Sequence, residues 1–157
     1  MSRDFVILTD TRQQKENHIN RKFDKQGILH IRTGLPSADY MALRYIDGEG
    51  FKLDYSVLID TKKDILELCG NLTKGHERLV KEVEKGHLLG CKDFVFLIGD
   101  SKIKTPADII NWQSDRTQVK GERLLKIMQT FKEHHDCRFI IVPKSEMGER
   151  IIDLLNK

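Results

Sequence analysis

The chain has 157 residues, which is the length of one domain with a sizeable hydrophobic core. Hydrophobic residues make up 39% and charged residues 32% of the sequence, so a disordered or collagen-like chain is excluded. No apolar stretch approaches the roughly 20 residues that a membrane span needs, and no signal-peptide pattern is present. The formal net charge of +3 permits a polyanionic partner but does not indicate one.

The cysteines Cys69, Cys91 and Cys137 are odd in number, widely spaced and set among apolar neighbours. Because no Cys-x-x-Cys pair occurs, both a zinc site and a disulfide framework are disfavoured. We therefore expect an intracellular protein of the reducing cytoplasm.

Short apolar runs bounded by turn residues predict four strands in the first part of the chain. These runs are residues 4–9, 28–33, 39–45 and 52–60. Thr11 and Gln14 have the spacing of a capping box, which predicts a helix over about residues 12–25. The Asp-Gly-Glu-Gly sequence at residues 47–50 is a turn signal, so the third and fourth strands should form a hairpin.

Beyond residue 64, helical spacing of apolar residues alternates with two further apolar strands. The pattern predicts strands at 93–98 and 137–142, and helices at 65–72, beyond Gly75, at 106–112, at 121–135 and at 145–155. Apolar strands joined by helices predict an α/β fold with a mixed central sheet of about six strands and helices on both faces. Strands two to four should form an antiparallel meander, and strands four to six should be parallel. We expect a single domain over residues 1–157.

The predicted hairpin brings two carboxylates and a lysine to one end of the sheet. Asp39 begins the third strand, and Asp60 and Lys62 end the fourth. Because side chains alternate along a strand, Asp60 and Lys62 should point to the same face. Phosphodiester chemistry with a divalent metal explains such a trio best, since Mg²⁺ prefers oxygen ligands and Lys62 could orient the attacking water. An Asp-x-Lys triplet alone is also common on surface strands.

Asp10 and Arg12 form a second polar cluster, which directly follows the first buried strand. Functional groups collect at strand ends in α/β sheets, so Asp10 could reach the same metal and Arg12 could contact a phosphate. Alternatively, Asp10 caps the following helix and Arg12 is solvated.

The order of these motifs resembles the XPF-type nuclease domain, a branch of the PD-(D/E)xK nucleases that occurs in flap and fork endonucleases. The motifs of that family read roughly Val-Asp-x-Arg-Glu, Gly-Asp-Tyr and Glu-Arg-Lys. Here residues 9–13, 38–40 and 60–62 read Thr-Asp-Thr-Arg-Gln, Ala-Asp-Tyr and Asp-Thr-Lys. The following helices, the apolar strand at 93–98 and the last strand–helix pair also fall in family order. The resemblance thus covers nearly the whole chain and implies a restriction-endonuclease-like nuclease core.

The resemblance implies a role for each residue of the two clusters. Asp39 and Asp60 would bind Mg²⁺, with Mn²⁺ able to substitute, and Asp10 would complete the ligand set. Lys62 and Arg12 would take part in catalysis beside the two carboxylates.

The implied activity is that of a Mg²⁺-dependent DNA endonuclease acting at branched, flap or fork structures. Candidate DNA contacts are Arg12, Lys63, Arg78 and Trp112, although Arg78 could be solvated and Trp112 could simply pack. Because no helix-hairpin-helix domain follows Lys157, we expect a stand-alone nuclease domain that is not associated with a membrane. It would gain DNA affinity from a homodimer through residues 107–157 or from a separate DNA-binding partner.

Three departures from the family motifs leave other functions open. Gln13 replaces a glutamate, Asp60-Thr61 replaces Glu-Arg, and Ala38 replaces a glycine, which matters only if that position needs positive φ. A catalytically degenerate nuclease-fold module for DNA binding or dimerisation is therefore the alternative. An α/β nucleotide-binding domain is disfavoured, because no glycine-rich loop follows the first strand.

Overall fold

The order of strands and helices agrees with the order that the sequence predicts. The structure is a computed structural model that describes residues 5–13 and 17–156, so residues 4 and 14–16 of the predicted elements lie outside it. The strands are β1 Phe5–Asp10, β2 His30–Thr33, β3 Tyr40–Ile46, β4 Gly50–Lys62, β5 Asp93–Gly99 and β6 Arg138–Val142. The α-helices are α1 Asn17–Lys25, α2 Ile65–Thr73, α3 His76–Leu88, α4 Pro106–Ile110, α5 Gly121–His135 and α6 Met147–Leu155. A 3₁₀ turn, Lys144–Glu146, precedes α6.

The strands form one mixed sheet in the order β2-β1-β3-β4-β5-β6. The predicted parallel arrangement of β4, β5 and β6 is confirmed, as is the antiparallel β3–β4 hairpin. The predicted meander is wrong in one respect, because β1 lies between β2 and β3. Since β2 returns parallel to β1 through α1, it occupies the outer edge of β1.

The segment between β2 and β3 crosses the end of β1 and is fixed there by Asp10. The N–H of Leu35 donates to Asp10 Oδ1 at 2.9 Å. The N–H of Asp10 donates to the carbonyl oxygen of Asp39 at 2.8 Å. The crossing places β3 on the inner side of β1 and sets Asp39 beside the end of β1.

Helices cover both faces of the sheet, as the sequence predicts. On one face, α2, α3 and α5 pack over a core that includes Leu58, Phe94 and Phe96. On the other face, α1 and α6 pack together over residues such as Ile59 and Leu97. The alternation along β4 therefore places Asp60 and Lys62 on the α2–α3 side and Thr61 on the α1–α6 side.

Local capping signals account for several helix ends. Asp64 accepts from the N–H of Glu67 at the start of α2. Thr105 and Asp108 form a capping box with Pro106 in the first turn of α4, which ends at Ile110 rather than at Trp112. No helix in the described part of the chain is long and apolar enough to cross a membrane. The three cysteines are buried and free.

Candidate active site

The β3–β4 pairing brings Asp39, Asp60 and Lys62 together at one end of the sheet. The N–H of Asp39 donates to the carbonyl oxygen of Ile59 at 2.9 Å, and Tyr40 pairs with Ile59. Asp39 therefore lies beside the last residues of β4. Asp60 and Lys62 are buried, and Lys62 Nζ lies 2.9 Å from Asp60 Oδ2.

Asp39 and Asp60 form a close carboxyl pair with unfavourable electrostatics. Burial raises the pKa of Asp39 well above its ordinary value, and the negative charge of Asp60 and a hydrogen bond with it raise that pKa further. Two bonds oppose the shift, since Thr61 N–H and Thr61 Oγ donate to Asp39 Oδ2 at 2.8 Å and 3.1 Å. A proton or a cation between the two carboxylates relieves their repulsion.

The donor set of this pair fits a divalent cation that prefers oxygen ligands. Mg²⁺ commonly takes only one or two protein carboxylates and retains several waters. Within residues 5–13 and 17–156, no group of three His, Cys, Asp or Glu side chains is placed to hold a metal. Asp39 and Asp60 supply two carboxylates, the number that such an ion commonly takes from a protein.

Asp10 does not join this pair but holds Arg12. Its Oδ2 accepts from Arg12 Nε at 2.7 Å, and its Oδ1 accepts from the N–H of Leu35. Arg12 Nη2 also donates to the carbonyl oxygen of Leu35 at 3.0 Å. The hydrogen bond and charge of Asp10 raise the pKa of Arg12, and the negative charge of Asp39 adds to this shift. The arrangement gives Asp10 a positioning role toward Arg12 and the segment before Asp39, and its role as a third metal ligand stays a prediction.

Asp60 and Lys62 open into a cleft of about 220 Å³ between β4 and α3. Arg78, from the first turns of α3, lines this cleft together with Asp60 and Lys62. Glu82, one turn later on the same face of α3, also lines it. A cleft lined by a guanidinium, carboxylates and a lysine suits an anionic group bridged by a cation.

Sequence reasoning missed Glu82, which supports the segment before Asp39. Glu82 Oε1 accepts from the N–H of Ala38 at 2.6 Å, and its carbonyl oxygen accepts from Ser37 Oγ at 3.0 Å. Because Arg78 and Glu82 are four residues apart on a predicted helix, the sequence could have indicated that Glu82 lies on the same helix face as the candidate DNA contact Arg78. Nothing in the sequence connects that helix with residue 38.

A groove continues from Lys62 along the carboxyl ends of the strands. Lys62 and Lys63 border a depression of about 160 Å³ that also includes Lys144. Lys144 in turn borders an open groove of about 630 Å³ that reaches Lys102 and Trp112. Trp112 is half-buried, since it packs against the core and also lines this groove. The structure thus places the predicted DNA contacts Lys63 and Trp112 along one groove, and Arg78 in the adjoining cleft.

Comparison with solved structures finds the same fold in XPF from Aeropyrum pernix. The likeness covers 96% of this chain and 63% of the XPF chain, with a TM-score of 0.66 and 14% sequence identity. A second structure, XPF from Aeropyrum pernix in complex with DNA, matches with the same coverage, TM-score and identity. The chain has the XPF-type nuclease fold. It spans less than two thirds of the XPF chain. No family model and no curated protein sequence matches it.

One departure from the XPF-type motifs has a structural consequence. Ala38 stands at the glycine position of the Gly-Asp-Tyr motif and has φ of 63°, in the left-handed region. An L-residue with a Cβ is strained there, by about 1–2 kcal/mol. The bond from Ala38 N–H to Glu82 and the burial of the segment hold this conformation, which directs Asp39 toward Asp60.

The other two departures from the XPF-type motifs are in contact with each other. Gln13 Nε2 donates to Thr61 Oγ1 at 2.7 Å, and Thr61 Oγ1 donates to Asp39 Oδ2 at 3.1 Å. Gln13 therefore orients the Thr61 hydroxyl toward Asp39. The glutamine and the threonine act as one unit that fixes the orientation of the carboxylate.

Proposed function

We propose that this protein is a metal-dependent nuclease that hydrolyses phosphodiester bonds in DNA. Asp39 and Asp60 would hold Mg²⁺ or Mn²⁺, and Lys62 would assist the attack of water. The observation that carries this proposal is the pair of half-buried Asp39 and buried Asp60 in an XPF-type fold, with Lys62 at 2.9 Å from Asp60 and both Asp60 and Lys62 lining a cleft.

The chain's own residues would divide the chemistry between them. A divalent cation bound by Asp39 and Asp60 supplies Lewis acidity toward a phosphoryl oxygen and lowers the pKa of a bound water. Thr61 keeps Asp39 in place through two hydrogen bonds to Oδ2. The Lys62 ammonium can donate to the attacking water or to an oxygen that gains charge in the transition state. Arg78, across the cleft, can bind a second phosphate oxygen.

Two observations support DNA as the substrate. One of the matching structures is XPF from Aeropyrum pernix in complex with DNA. In this chain, the ammonium groups of Lys63, Lys102 and Lys144 form no ion pair with residues 5–13 and 17–156, so they are available to a phosphate backbone. Arg12, Lys63, Arg78 and Trp112 are the proposed contacts. The motif resemblance is the basis for proposing activity at branched, flap or fork DNA. It is also the basis for proposing that the protein either forms a homodimer or binds a separate DNA-binding partner.

A cleavage panel tests this proposal. End-labelled single-stranded, duplex, flap, fork and junction DNA are incubated with the protein in Mg²⁺, Mn²⁺ or EDTA. We expect metal-dependent cuts, and a rate about 100- to 1,000-fold lower for Lys62→Ala, the loss typical of one transition-state donor. Lys126→Ala, which removes an exposed lysine of α5, is the matched control and should retain full activity. Absence of cleavage by the wild-type protein with either metal overturns the proposal.

A catalytically degenerate module for DNA binding is the second candidate. The Lys62–Asp60 ion pair favours it, because that pair neutralises one of the two carboxylates. Calorimetric titration with Mn²⁺ separates the two functions. A nuclease should bind Mn²⁺ in a manner that Asp39→Asn abolishes, whereas a degenerate module should bind DNA but show no such metal binding.

A further inference from the structure

Large apolar side chains are concentrated on one exposed surface of the sheet. Leu29 and Phe51 are 74% and 77% exposed, the largest fractions among apolar side chains of the sheet region. We use the term apolar sheet face for the group Leu29, Ile31, Tyr45, Phe51 and Leu53. A contiguous apolar patch of this kind commonly marks an interaction site.

Strand register shows that these side chains share one face. Tyr45 pairs with Phe51 across the hairpin, and their rings lie 5.2 Å apart in an edge-to-face arrangement. Leu53 pairs with Leu43, which pairs in turn with Val6 of β1. Paired residues on neighbouring strands point to the same side of a sheet, so β1, β3 and β4 contribute to one surface.

The same register brings β2 into this surface. Ile31 pairs with Leu8, which belongs to the core under α2, α3 and α5. Ile28 is buried on the opposite side of the sheet, so the neighbouring Leu29 faces the same way as Ile31. The apolar sheet face is therefore the continuation of the covered core beyond the edge of its helices.

The helical layer ends before it reaches the hairpin. Along β1, Leu8 is buried whereas Val6 is only half-buried. Strand β5 joins β4 from Val57 onward, so residues 50–54 pair with β3 and not with β5. The described residues of β1 pair with β3 only as far as Arg44, so the tip of the hairpin, beyond Arg44 and Lys52, is a two-stranded ribbon, which is marginally stable in water when one face is bare and apolar. Its other face is held by Arg44, which pairs with Asp54 at 2.6 Å and donates to the carbonyl oxygen of Leu155.

We propose that the apolar sheet face binds the same face of a second copy of this chain. From their exposed fractions, the five residues present on the order of 600 Å² of surface, to which the half-buried Val6 and Leu43 add, and a standard interface takes roughly 800 Å² per partner. The side chains that β1–β4 direct to this surface are uncharged, so no charge is buried when two such faces meet. Charge-depleted, apolar contact surfaces are typical of homodimers.

A dimer of this form leaves the candidate active site open. The apolar sheet face lies near the start of β1 and β4 and the end of β3, whereas Asp39, Asp60 and Lys62 lie at the opposite end of these strands. The surface also differs from residues 107–157, where Ile110 is the one exposed large apolar side chain among the residues that the structure describes. The proposed dimer therefore does not depend on the proposed nuclease activity.

Sedimentation equilibrium and size exclusion with light scattering test the interface in EDTA and without DNA, from about 1 to 100 µM protein. The wild-type protein should change from 18.3 kDa to twice that mass within this range. Phe51→Glu and Leu29→Glu place a charge on the face from two different elements. Because a two-fold interface contains each substitution twice, each should raise the dissociation constant about 100-fold or more.

Two control variants carry the same change elsewhere. Leu88→Glu alters a side chain that is 89% exposed at the end of α3. Ile110→Glu alters the exposed apolar side chain within residues 107–157. Both should leave the dimer unchanged. A wild-type protein that stays monomeric at 100 µM overturns the proposal, as does dissociation by Ile110→Glu but not by Phe51→Glu.

Hydrogen exchange of the wild-type protein gives an independent readout if a variant fails to fold. Amides of residues 29–31 and 43–53 should be more protected at 100 µM than at 1 µM, whereas those of α3 should be unchanged. Equal protection at both concentrations overturns the proposal.

Discussion

Replacing Asp39 with asparagine should stabilise the metal-free protein while abolishing metal binding. Burial and the charge of Asp60 raise the pKa of Asp39 in the folded state. The folded state then binds more protons than the unfolded state, so wild-type stability falls as the pH rises from the unfolded pKa to the folded pKa. Above that window, Asp39 is ionised next to Asp60, and the folded protein carries the full cost of the repulsion. Asparagine does not ionise and avoids this loss.

The hydrogen bonds around Asp39 set the size of the gain. The amide oxygen of asparagine can accept both bonds that Thr61 donates at 2.8 Å and 3.1 Å. The amide nitrogen can donate to Asp60, and a hydrogen bond to a charged group contributes about 1.5–3 kcal/mol. Since 1 kcal/mol shifts the melting temperature of a protein of this size by about 2–4 °C, we expect Asp39→Asn to melt about 5 °C higher at pH 8.

Thermal unfolding between pH 5 and pH 9, in EDTA and in Mn²⁺, measures this effect. In EDTA the advantage of Asp39→Asn should shrink as the pH falls, because the wild-type carboxyl then carries its proton. In Mn²⁺ at 100 times its dissociation constant, the wild-type protein should gain about 2.7 kcal/mol and the variant nothing. Asp153→Asn, at an exposed position of α6, is the control. A variant less stable than wild type at pH 8 in EDTA, or a gain independent of pH, refutes the reasoning.

Three further predictions concern the surroundings of the carboxyl pair. Gln13→Ala should weaken Mn²⁺ binding about 10-fold by calorimetry, because Thr61 loses the partner that orients it, whereas unchanged affinity would contradict that role. Ala38→Gly should leave the free energy of unfolding in urea within about 1 kcal/mol of wild type, since relief of about 1–2 kcal/mol of strain offsets about 0.8 kcal/mol of lost methyl burial and about 0.4–1 kcal/mol of added unfolded-state entropy. A clear loss of stability would show that Ala38 is not strained. Lys63→Ala should lower the slope of log affinity for DNA against log salt by about one, and an unchanged slope would exclude a phosphate contact.

The fold could be predicted from the sequence except for the position of β1. Apolar runs and helical spacing locate the strands and helices, and the Asp-Gly-Glu-Gly turn locates the hairpin. The short connection of six residues between β2 and β3 predicted that these two strands are neighbours. The connection is nevertheless long enough to cross the end of β1, which lies between them. The crossing is fixed by two hydrogen bonds between Asp10 and residues remote in sequence: Asp10 accepts from the N–H of Leu35 and donates to the carbonyl oxygen of Asp39. Periodicity contains no information on such bonds.

The convergence of Asp39, Asp60 and Lys62 could be predicted because it depends on one hairpin and on strand alternation. Two other features of the site could not. The left-handed conformation of Ala38 contradicts its own preference, and it exists because Glu82 and the packed segment hold it. The role of Asp10 depends on the loop that crosses β1, so its position after a strand indicated the site but not the partner.

The contact between Gln13 and Thr61 changes the significance of the motif departures. The XPF-type motifs have a glutamate and an arginine at these two positions, that is, one negative and one positive charge. Here both charges are absent, and two uncharged side chains take their place, with a hydrogen bond of 2.7 Å from Gln13 Nε2 to Thr61 Oγ1. The two replacements leave the net charge of the site unaltered, so they do not weaken its attraction for a cation. Since Thr61 also donates to Asp39, the pair retains the means to orient that carboxylate. The electrostatics of the site then depend on Asp39, Asp60 and Lys62, so the two replacements are not in themselves an argument for a degenerate module.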